Sequence, residues 1–410
     1  MSGQLEKWLV RRLLDSVGSP PLAIELWSGE RVHVLPGDAE PIAVVRLTDR
    51  RALLELMQKP ERSFGELFTD GRLTVEGDLV ATLEAIDVAI QRAMRESGPV
   101  ARLLRKAMEK RPRTNSLSGS KENIHSHYDL GNAFYQLWLD ADYMQYTCAY
   151  YPDESATLEQ AQQAKLELVC RKLHLKPGEQ VVEAGSGWGG LARYMARRYG
   201  ASVRSYNIST EQVAYARERA QREGLGNLVE YVEDDYRNIS GSYDVFVSVG
   251  MLEHVGLANY PTLGAVIDRC LKKEGRGLVH SIGRNVPRPM NEWIESYIFP
   301  GAYPPTLKEM MEIFEPFEFL IMDVENLRPH YARTLTHWLE RFERNVDRVR
   351  DMFDESFVQA WRLYLSGSKS AFTQGQLQLY QVLFQRQGAN ALPMTRDRMS
   401  LAEWSPTLSG

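Results

Sequence analysis

The pattern of apolar and polar positions changes at about residue 175. From there, apolar runs of strand length alternate with amphipathic stretches of helix length, beginning with QVVEAG and LARYMARRY and ending with GRGLVHSIG. Buried strands that alternate with helices predict a parallel sheet with helices on both of its faces. We therefore predict an α/β fold for this part of the chain.

The regions before and after it have different patterns. Residues 1–90 predict an amphipathic helix, a pair of strands around Gly29, and then a helix, a turn at Asp70 and Gly71, a short strand and a helix. After about residue 290 the apolar spacing is that of helices, including the stretch QAWRLYLSGSKSAFTQGQLQLYQVLF. We expect these helices to form a cap over the carboxyl edge of the sheet.

These patterns predict two domains joined by a linker. We place a small N-terminal α/β domain at 1–113 and the second domain, with its helical insertions after about 290, at 124–410. The intervening segment 114–123 reads TNSLSGSKEN, which is polar and contains serine and glycine, as linkers do.

The composition narrows the class of protein. Of the 410 residues, 43% are hydrophobic and 25% are charged, which is typical of a globular protein. Three scattered cysteines are too few for a disulfide framework or a tetrahedral metal site, so we predict no metal. The N-terminus lacks a signal-peptide pattern and no apolar run reaches the roughly 18 residues of a membrane span, which predicts a cytoplasmic protein that is neither exported nor integral.

The charge is unevenly distributed. A net charge of −5 argues against nucleic-acid binding driven by global charge. Segment 92–113 is the exception, because its eight basic and two acidic residues give it a net charge of +6. It also contains Val100, Leu103, Leu104 and Met108, and a helix with a cationic and an apolar side suits an anionic membrane surface. A charged helix between domains that faces only water is the alternative.

A glycine-rich turn lies between a buried strand and a helix in the sequence VVEAGSGWGG. Gly185, Gly187 and Gly190 fit the pattern G-x-G-x-x-G, which alone allows NAD, FAD or S-adenosylmethionine. A dinucleotide site needs an acidic residue at the end of the next strand, where this chain has Asn207. Glu183, two residues before the first glycine, can receive the cationic amino group of a methionine moiety. These residues favour S-adenosylmethionine on a Rossmann-like methyltransferase sheet, with a dinucleotide site or a purely structural turn as alternatives.

A second group of cofactor candidates follows the third strand of this region, in the sequence EDDYRN. Asp235 and Tyr236 can contact the amino group and the ring face of adenine. The alternative is a solvated acidic loop that binds no ligand. The full predicted cofactor set is Glu183, Gly185, Ser186, Gly187, Trp188, Gly189, Asn207, Ser209, Gln212, Asp235 and Tyr236.

Several motifs in order along the chain resemble one known family. They include NIHSHYDLGNAFYQLWLDADYMQYTCAYY, SVGMLEHVG, HSIG and NEWIESYIFPGAYPP, within residues 122 to 390. The resemblance is to cyclopropane fatty acid synthases, including the mycolic acid cyclopropane synthases, and FGELFTDGRLTVEGDL is similar to the N-terminal domain of the phospholipid-acting members. The family usually has aspartate two residues before the first glycine and cysteine between the glycines. This chain has Glu183 and Ser186 there, and both residues preserve the chemistry that a cofactor loop needs.

The resemblance implies a reaction on lipid. A methyl group passes from S-adenosylmethionine to the cis double bond of an unsaturated acyl chain in a membrane phospholipid, and a bound bicarbonate removes a proton from the carbocation so that a cyclopropane ring closes. A related C-methyltransferase that gives a methyl-branched, methylene or hydroxylated product is the alternative. A non-catalytic lipid-binding protein and a small-molecule N- or O-methyltransferase are further alternatives. The resemblance also implies peripheral attachment to the inner face of the membrane, and it makes a homodimer plausible.

The family's bicarbonate-binding residues have counterparts at matching motif positions. They are Cys148, Glu253, His280, Ile282 and Tyr331, which the resemblance makes the predicted catalytic set. Three of these residues also have a purely structural interpretation. The cysteine can be a small buried apolar residue, the histidine a hydrogen-bonded core residue and the tyrosine an ordinary aromatic residue at a helix start. Aromatic residues that either line an acyl channel or merely pack the core are Tyr143, Tyr146, Tyr150, Tyr151, Trp188, Tyr297, Phe299 and Tyr303.

Overall fold

The structure is a computed structural model that describes residues 2–35, 39–96, 130–401 and 404–406. Its α-helices are, in chain order, α1 Ser2–Ser16, α2 Arg50–Gln58, α3 Pro60–Thr69, α4 Leu79–Glu96, α5 Asn132–Tyr135, α6 Leu158–Lys172, α7 Gly190–Tyr199, α8 Thr210–Arg222, α9 Tyr260–Cys270, α10 Glu292–Tyr297, α11 Leu307–Met310, α12 Arg328–Arg344, α13 Val346–Met352 and α14 Glu355–Thr373. Its strands are β1 Leu22–Glu25, β2 Arg31–Val32, β3 Ala43–Leu47, β4 Leu73–Glu76, β5 Gln180–Ala184, β6 Ser202–Asn207, β7 Val229–Glu233, β8 Tyr243–Val249, β9 Leu271–Gly283, β10 Leu320–Asn326 and β11 Gln378–Gln385.

Contacts between these elements form two units. The first contains the described residues up to 96 together with Arg288–Pro300 and Trp338–Gln376, and the second contains the remaining described residues. The predicted boundary at 113 and the predicted linker at 114–123 lie outside the described residues and stay predictions. No helix in the described part of the chain is long and apolar enough to cross a membrane.

The first unit has a four-stranded sheet in the order β2-β1-β3-β4. β1 pairs with β2 in antiparallel fashion on either side of Gly29, and β4 follows the turn at Gly71 and pairs with β3. The strand pair predicted around Gly29 and the short strand predicted after Gly71 are therefore confirmed. Both glycines have positive φ, 81° and 73°, a conformation that glycine adopts without steric cost.

Helices from the last third of the chain pack onto the helices of this first unit. α14 packs against α3 and α4, and Ser370 on α14 donates a hydrogen bond to Asp87 Oδ2 at 2.6 Å. α10 packs against α3, where Tyr297 donates to Glu66 Oε1 at 2.6 Å. Some of the helices expected to cap the sheet of the second domain thus group with the N-terminal residues.

The second unit is built on a seven-stranded sheet in the order β10-β11-β9-β8-β5-β6-β7. The strands from β9 to β7 are parallel, as the alternating pattern predicts. Successive residues of β5 face opposite sides of the sheet, since Val181 belongs to one apolar core with α6, α7 and α8, and Val182 belongs to another with α9. β6 lies on one side of β5 and β8 on the other, so the sheet has a topological switch point at the end of β5.

The prediction that QLQLYQVLF continues a helix is wrong. α14 ends at Thr373, Gly375 follows with φ of 75°, and the chain then forms β11, which pairs in antiparallel fashion with β9 and β10. All eight residues of β11 are buried. A strand buried along its whole length has no alternating polar face, so its apolar residues also fit helical spacing.

The first unit yields a test of packing at Gly65. A Cβ on Gly65 would lie 2.3 Å from the indole ring of Trp293 on α10, so only glycine allows the two helices to approach this closely. We expect Gly65→Ala to lower the free energy of unfolding by about 1–3 kcal/mol, because overpacking outweighs the better helix propensity of alanine. Urea denaturation followed by circular dichroism measures this change.

The matched control is Gly367→Ala in α14, where an added Cβ meets no atom within 4 Å. There we expect a gain of about 0.5–1 kcal/mol from helix propensity. A stabilised Gly65→Ala variant would contradict the packing argument.

Candidate active site

The glycine-rich loop connects β5 to α7 at the topological switch point. Gly185, Gly187 and Gly189 have positive φ values of 93°, 51° and 78°. The amides of Gly185 and Ser186 donate to the carbonyl oxygen of Tyr206 on β6, at 2.9 and 3.1 Å. At Gly189 an added Cβ would lie 2.5 Å from the hydroxyl of Tyr231, so this turn has no room for a side chain. The loop therefore has the tight backbone that lets a cofactor approach the start of a helix.

Glu183 lies near the end of β5 with its carboxylate buried in the sheet. Its Oε2 accepts a hydrogen bond from the Ser205 hydroxyl on β6 at 2.5 Å. Burial raises the pKa of Glu183 to about 7, and the Ser205 hydrogen bond and the charge of Lys165 oppose that rise. A buried carboxylate beside the glycine loop has the chemistry required to hold a cationic amino group.

The other loop candidates mostly hold the loop together. Asn207, at the end of β6, donates to the carbonyl oxygen of Gly187 at 3.3 Å and to Gln212 Oε1 at 2.8 Å. Ser209 caps the start of α8, and its amide donates to Asn207 Oδ1 at 3.2 Å. The Ser186 hydroxyl donates to the Gly187 carbonyl at 3.2 Å. The structure thus brings these four predicted residues together around Gly187.

Trp188 belongs to an aromatic cluster that the sequence analysis identified only in part. Its indole nitrogen donates to Asn132 Oδ1 at 2.7 Å, and its ring lies 4.8 Å from that of Tyr135. Tyr135 also contacts Trp138 and Tyr146. Asn132, Tyr135 and Trp138 were not predicted, although they lie in the motif NIHSHYDLGNAFYQLWLDADYMQYTCAYY that carries the resemblance.

Asp235 and Tyr236 follow β7, at the same edge of the sheet. Asp235 accepts a hydrogen bond from the amide of Arg237 at 2.9 Å and lies 3.6 Å from its guanidinium group. That guanidinium also lies over the ring of Tyr236, 5.2 Å from its centroid. One face of Tyr236 is therefore occupied by Arg237, and the adenine contacts of both residues stay predictions.

Three of the predicted base-binding residues lie at the ends of β8 and β9, which are neighbours in the sheet. Glu253 is in a short 3₁₀ turn, Leu252–His254, that follows β8, and His280 and Ile282 are on β9. The amide of Ile282 donates to Glu253 Oε1 at 2.6 Å. The resemblance implies that this amide binds bicarbonate, whereas in this structure it holds the Glu253 carboxylate.

Two polar atoms of this group are buried and lack hydrogen-bond partners among the residues that the structure describes. They are Glu253 Oε2 and His280 Nε2. The other ring nitrogen of His280 lies 3.0 Å from the side-chain amide nitrogen of Gln381 on β11. Burial raises the pKa of Glu253 to about 7 and lowers the pKa of His280 well below its ordinary value. An acceptor and a neutral imidazole nitrogen are thus available to a small polar ligand.

The turn that carries Glu253 lies directly against the glycine-rich loop. A Cβ on Gly185 would lie 3.0 Å from Cβ of Met251, two residues before Glu253. The Ser248 hydroxyl on β8 donates to the carbonyl oxygen of Ala184 at 3.0 Å. The glycine-rich loop and the turn that carries Glu253 therefore lie side by side at the carboxyl edge of the sheet.

Cys148 lies near the backbone of Leu327, four residues before Tyr331. Cys148 Sγ is fully buried, lies 4.0 Å from the Leu327 carbonyl oxygen and donates to the Ala149 carbonyl at 3.1 Å. The amide of Tyr331, in the first turn of α12, donates to the same Leu327 carbonyl at 3.3 Å. Burial raises the pKa of Cys148 above its ordinary value, so the sulfur is a thiol at neutral pH.

Leu327 also links these residues to β9. Its amide donates to the carbonyl oxygen of Leu379 at 2.8 Å, and Leu379 is the partner of Ile282 across β11 and β9. The sequence analysis did not identify Leu327 or Leu379, because a backbone contact leaves no signal in residue type.

Comparisons with known proteins identify the family of this chain. Residues 115–382 match the family model described as mycolic acid cyclopropane synthetase. The chain belongs to this family. A probable fatty acid methyltransferase of Pseudomonas putida is 35% identical to it over 92% of this chain and 96% of that protein. The cyclopropane-fatty-acyl-phospholipid synthase of Escherichia coli K12 is 44% identical over 66% of this chain and 69% of that protein.

A solved member of the family supports the cofactor. The mycolic acid cyclopropane synthase CmaA1, in a complex with S-adenosylhomocysteine and CTAB, covers 65% of this chain and 98% of its own length, with 27% identity and a TM-score of 0.62. The predicted Rossmann-like methyltransferase fold is confirmed. As a member of this family, the present chain is an S-adenosylmethionine-dependent methyltransferase.

The raised pKa of Glu253 predicts a pH-dependent cost in stability. Because the folded-state pKa, about 7, exceeds the ordinary value of 4.5, the folded protein favours the protonated acid, and its stability falls as the pH rises between those values. Glu253→Gln removes this penalty. We expect the melting temperature of the variant relative to wild type to be higher at pH 8 than at pH 5, through a free-energy difference of at most about 3 kcal/mol.

Scanning calorimetry at the two pH values measures this difference. Glu274→Gln, at an exposed position of β9, is the control and should behave like wild type at both pH values. The same offset of Glu253→Gln at pH 5 and pH 8 would contradict the prediction.

Proposed function

We propose that this protein transfers a methylene group from S-adenosylmethionine to the cis double bond of an unsaturated acyl chain in membrane phospholipid, which closes a cyclopropane ring. The observation that carries this proposal is the pair of buried, unpartnered polar atoms, Glu253 Oε2 and His280 Nε2, in the turn and strand next to the cofactor loop. Alkylation of nitrogen or oxygen releases a proton from the heteroatom, which water can take, whereas ring closure on an alkene needs a base that removes a proton from the added methyl group where water is excluded.

The reaction explains why that site must be dry and must include a base. When bound, S-adenosylmethionine supplies an electrophilic methyl group, and its attack by an alkene leaves a carbocation that closes to a ring only after the added methyl loses a proton. Water at this point would capture the cation, so the chain must exclude it. Cys148, His280 and Glu253 are all at most 7% exposed, which meets this requirement.

The two unpartnered atoms fit bicarbonate. When the Gln381 amide nitrogen donates to Nδ1, the His280 proton is on Nε2, from which it can be donated to an oxyanion, and Glu253 Oε2 can accept from a hydroxyl. A carboxyl group with a pKa of about 7 can also share that proton at neutral pH. When bound there, bicarbonate supplies the base for the deprotonation.

The substrate lies in a membrane, so we propose that the protein acts peripherally from the cytoplasmic side. α1 exposes Leu5 and Trp8, at 49% and 51% of their surface, next to the basic side chains of Arg11 and Arg12. Apolar side chains beside positive charge suit the interface of an anionic bilayer. The basic segment 92–113 lies mostly outside the described residues, and its role in docking stays part of this proposal.

The names of some relatives also fit a second product. The Pseudomonas putida protein that matches 92% of this chain is named a probable fatty acid methyltransferase. The same carbocation gives a methylene lipid if it loses a different proton, and a hydroxylated lipid if water captures it. We favour the cyclopropane because Cys148, Glu253, His280 and Tyr331 are all present and are buried in the second unit.

The deciding experiment is methyl transfer from labelled S-adenosylmethionine to vesicles of cis-monounsaturated phosphatidylglycerol and phosphatidylethanolamine. We expect a product that gains one CH₂ and has no alkene, detected by mass spectrometry after ozonolysis. Removal of bicarbonate should lower wild-type turnover. His280→Ala should lower it by about 10²-fold or more and abolish the response to added bicarbonate, because the donor to the oxyanion is lost.

His33→Ala, at an exposed histidine of the first unit, is the control and should retain both turnover and the bicarbonate response. An alkene-containing product would favour the methylene alternative. Full turnover of His280→Ala without bicarbonate would exclude the assigned base site.

Membrane docking has its own test in vesicle co-sedimentation. Replacement of Arg102, Arg105 and Lys106 by glutamine should weaken binding to anionic vesicles by roughly 1 kcal/mol per removed charge, and high salt should weaken wild-type binding. The control replaces Arg51, Arg222 and Arg344, which have the same total charge and lie in exposed helical ion pairs. Equal losses in the two triple variants would show that segment 92–113 has no particular role.

A further inference from the structure

Helix α6 has two buried lysines on the same face. Lys165 and Lys172 are seven residues apart, and their side chains are 0% and 2% exposed. Lys172 forms ion pairs with Glu325 and Asp323 on β10. Lys165, in contrast, has no carboxylate within 4.0 Å in the part of the chain that the structure describes. Its ammonium group donates to two neutral oxygens, Thr147 Oγ1 at 2.9 Å and Gln145 Oε1.

An unpaired buried ammonium group is costly. Lysine is almost never fully buried without a partner, because several kcal/mol of hydration are lost. Burial lowers the pKa of Lys165 to about 8, while the carboxylates of Asp140 and Glu183 oppose this shift. The group therefore remains a cation at neutral pH, and its stability cost calls for a functional explanation.

The hydrogen bonds of Lys165 hold the segment that carries Cys148. Thr147 directly precedes Cys148, and its carbonyl oxygen accepts from Gln162 on α6 at 2.8 Å. The methyl group of Thr147 also packs against Gly250, where an added Cβ would lie 2.7 Å from it. Gly250 begins the turn that leads to Glu253. Lys165 thus holds Thr147 in place where it contacts Gly250, at the start of the turn that leads to Glu253.

Lys165 is also the cation that faces the cofactor carboxylate from α6. Glu183 is faced by the Ser205 hydroxyl from β6, by Lys165 from α6 and by Arg193 from α7. Arg193 is already engaged by Glu223 at 3.2 Å and by the Trp188 carbonyl at 2.9 Å. Lys165 has no carboxylate within 4.0 Å in the described part of the chain, and its charge acts on the buried carboxylates of both Asp140 and Glu183.

We propose that Lys165 is a positioning residue of the methyl transfer, which fixes the Cys148 segment through Gln145 and Thr147 and keeps the Glu183 carboxylate ionised so that it can hold the amino group of the cofactor. The proposal rests on the assignment of Glu183 to cofactor binding. Lys165 does not contact the reacting atoms in this account. It acts through the residues that do.

The test is the pH dependence of cofactor binding. S-Adenosylhomocysteine keeps the amino group and is stable in solution, so its dissociation constant can be measured by isothermal titration calorimetry between pH 5.5 and 8.5. In wild type the affinity should fall as the pH drops through about 7, when Glu183 is protonated. Lys165→Met removes the opposing charge, and we expect the midpoint to move up by about one pH unit, which weakens binding about tenfold at pH 6.

A second variant separates charge from contact. Lys165→Gln can still donate to Thr147 and Gln145 but is neutral, so it should show the same shift of the midpoint as Lys165→Met. Lys165→Arg keeps the charge and should keep the wild-type midpoint. Circular dichroism confirms that each variant is folded. A loss of affinity by the same factor at every pH, or an unchanged midpoint in the neutral variants, would overturn the proposal.

Two controls locate the source of any failure. Lys172→Met removes the other buried lysine of the same helix face and should leave the midpoint unchanged, because Lys172 does not face Glu183. Glu183→Gln should bind weakly with no pH dependence in this range. If Glu183→Gln retains the wild-type pH profile, the assignment of Glu183 is wrong. If only the Lys165 variants fail to shift, the role of Lys165 alone is wrong.

Discussion

The burial of charged and polar groups at the carboxyl edge of the sheet is the constraint on which the second unit depends. Glu183, Glu253, His280 and Lys165 are all nearly inaccessible to water, and together they cost the fold considerable desolvation energy. The cost is offset only in part, by short hydrogen bonds such as those from Ser205 to Glu183 and from the Ile282 amide to Glu253. Such an arrangement is what the proposed chemistry at this edge requires, because that chemistry must proceed without water.

The sheet geometry makes this arrangement possible. β5, β8 and β9 are adjacent and parallel, so the residues that follow them meet at one edge although they lie far apart in sequence. The glycine loop supplies the close approach, since Gly185 packs against Met251 and Gly189 against Tyr231 with no room for a side chain. β11 then adds Gln381 beside His280 from the antiparallel side of β9. One half of the site thus depends on the parallel strands and the other on the antiparallel edge.

The pattern of the sequence predicted the parallel strands of the sheet correctly, but it did not predict the antiparallel strand β11. β5 to β8 have apolar runs bounded by amphipathic helices, and that local pattern is sufficient to identify them. β11 is buried on both faces, so nothing in its own residues separates it from the helix before it. Glu183 and His280 were found because motifs mark them. Lys165, Gln381 and Leu327 were not, because a buried lysine, a core glutamine and a backbone carbonyl acquire their roles only from partners that are distant in sequence.

The same burial also protects the protein from its own cofactor. A sulfonium methyl group reacts with any good nucleophile, and a thiolate is the strongest that a protein offers. Cys148 is fully buried, which holds its pKa above the ordinary value and keeps the sulfur protonated. The Nδ1 atom of His280 lies 3.0 Å from the Gln381 amide nitrogen, so that ring nitrogen is not free to attack a methyl group. Burial of this kind keeps the Cys148 thiol unreactive, which suits the proposed use of a weakly nucleophilic alkene as the group that receives the methyl.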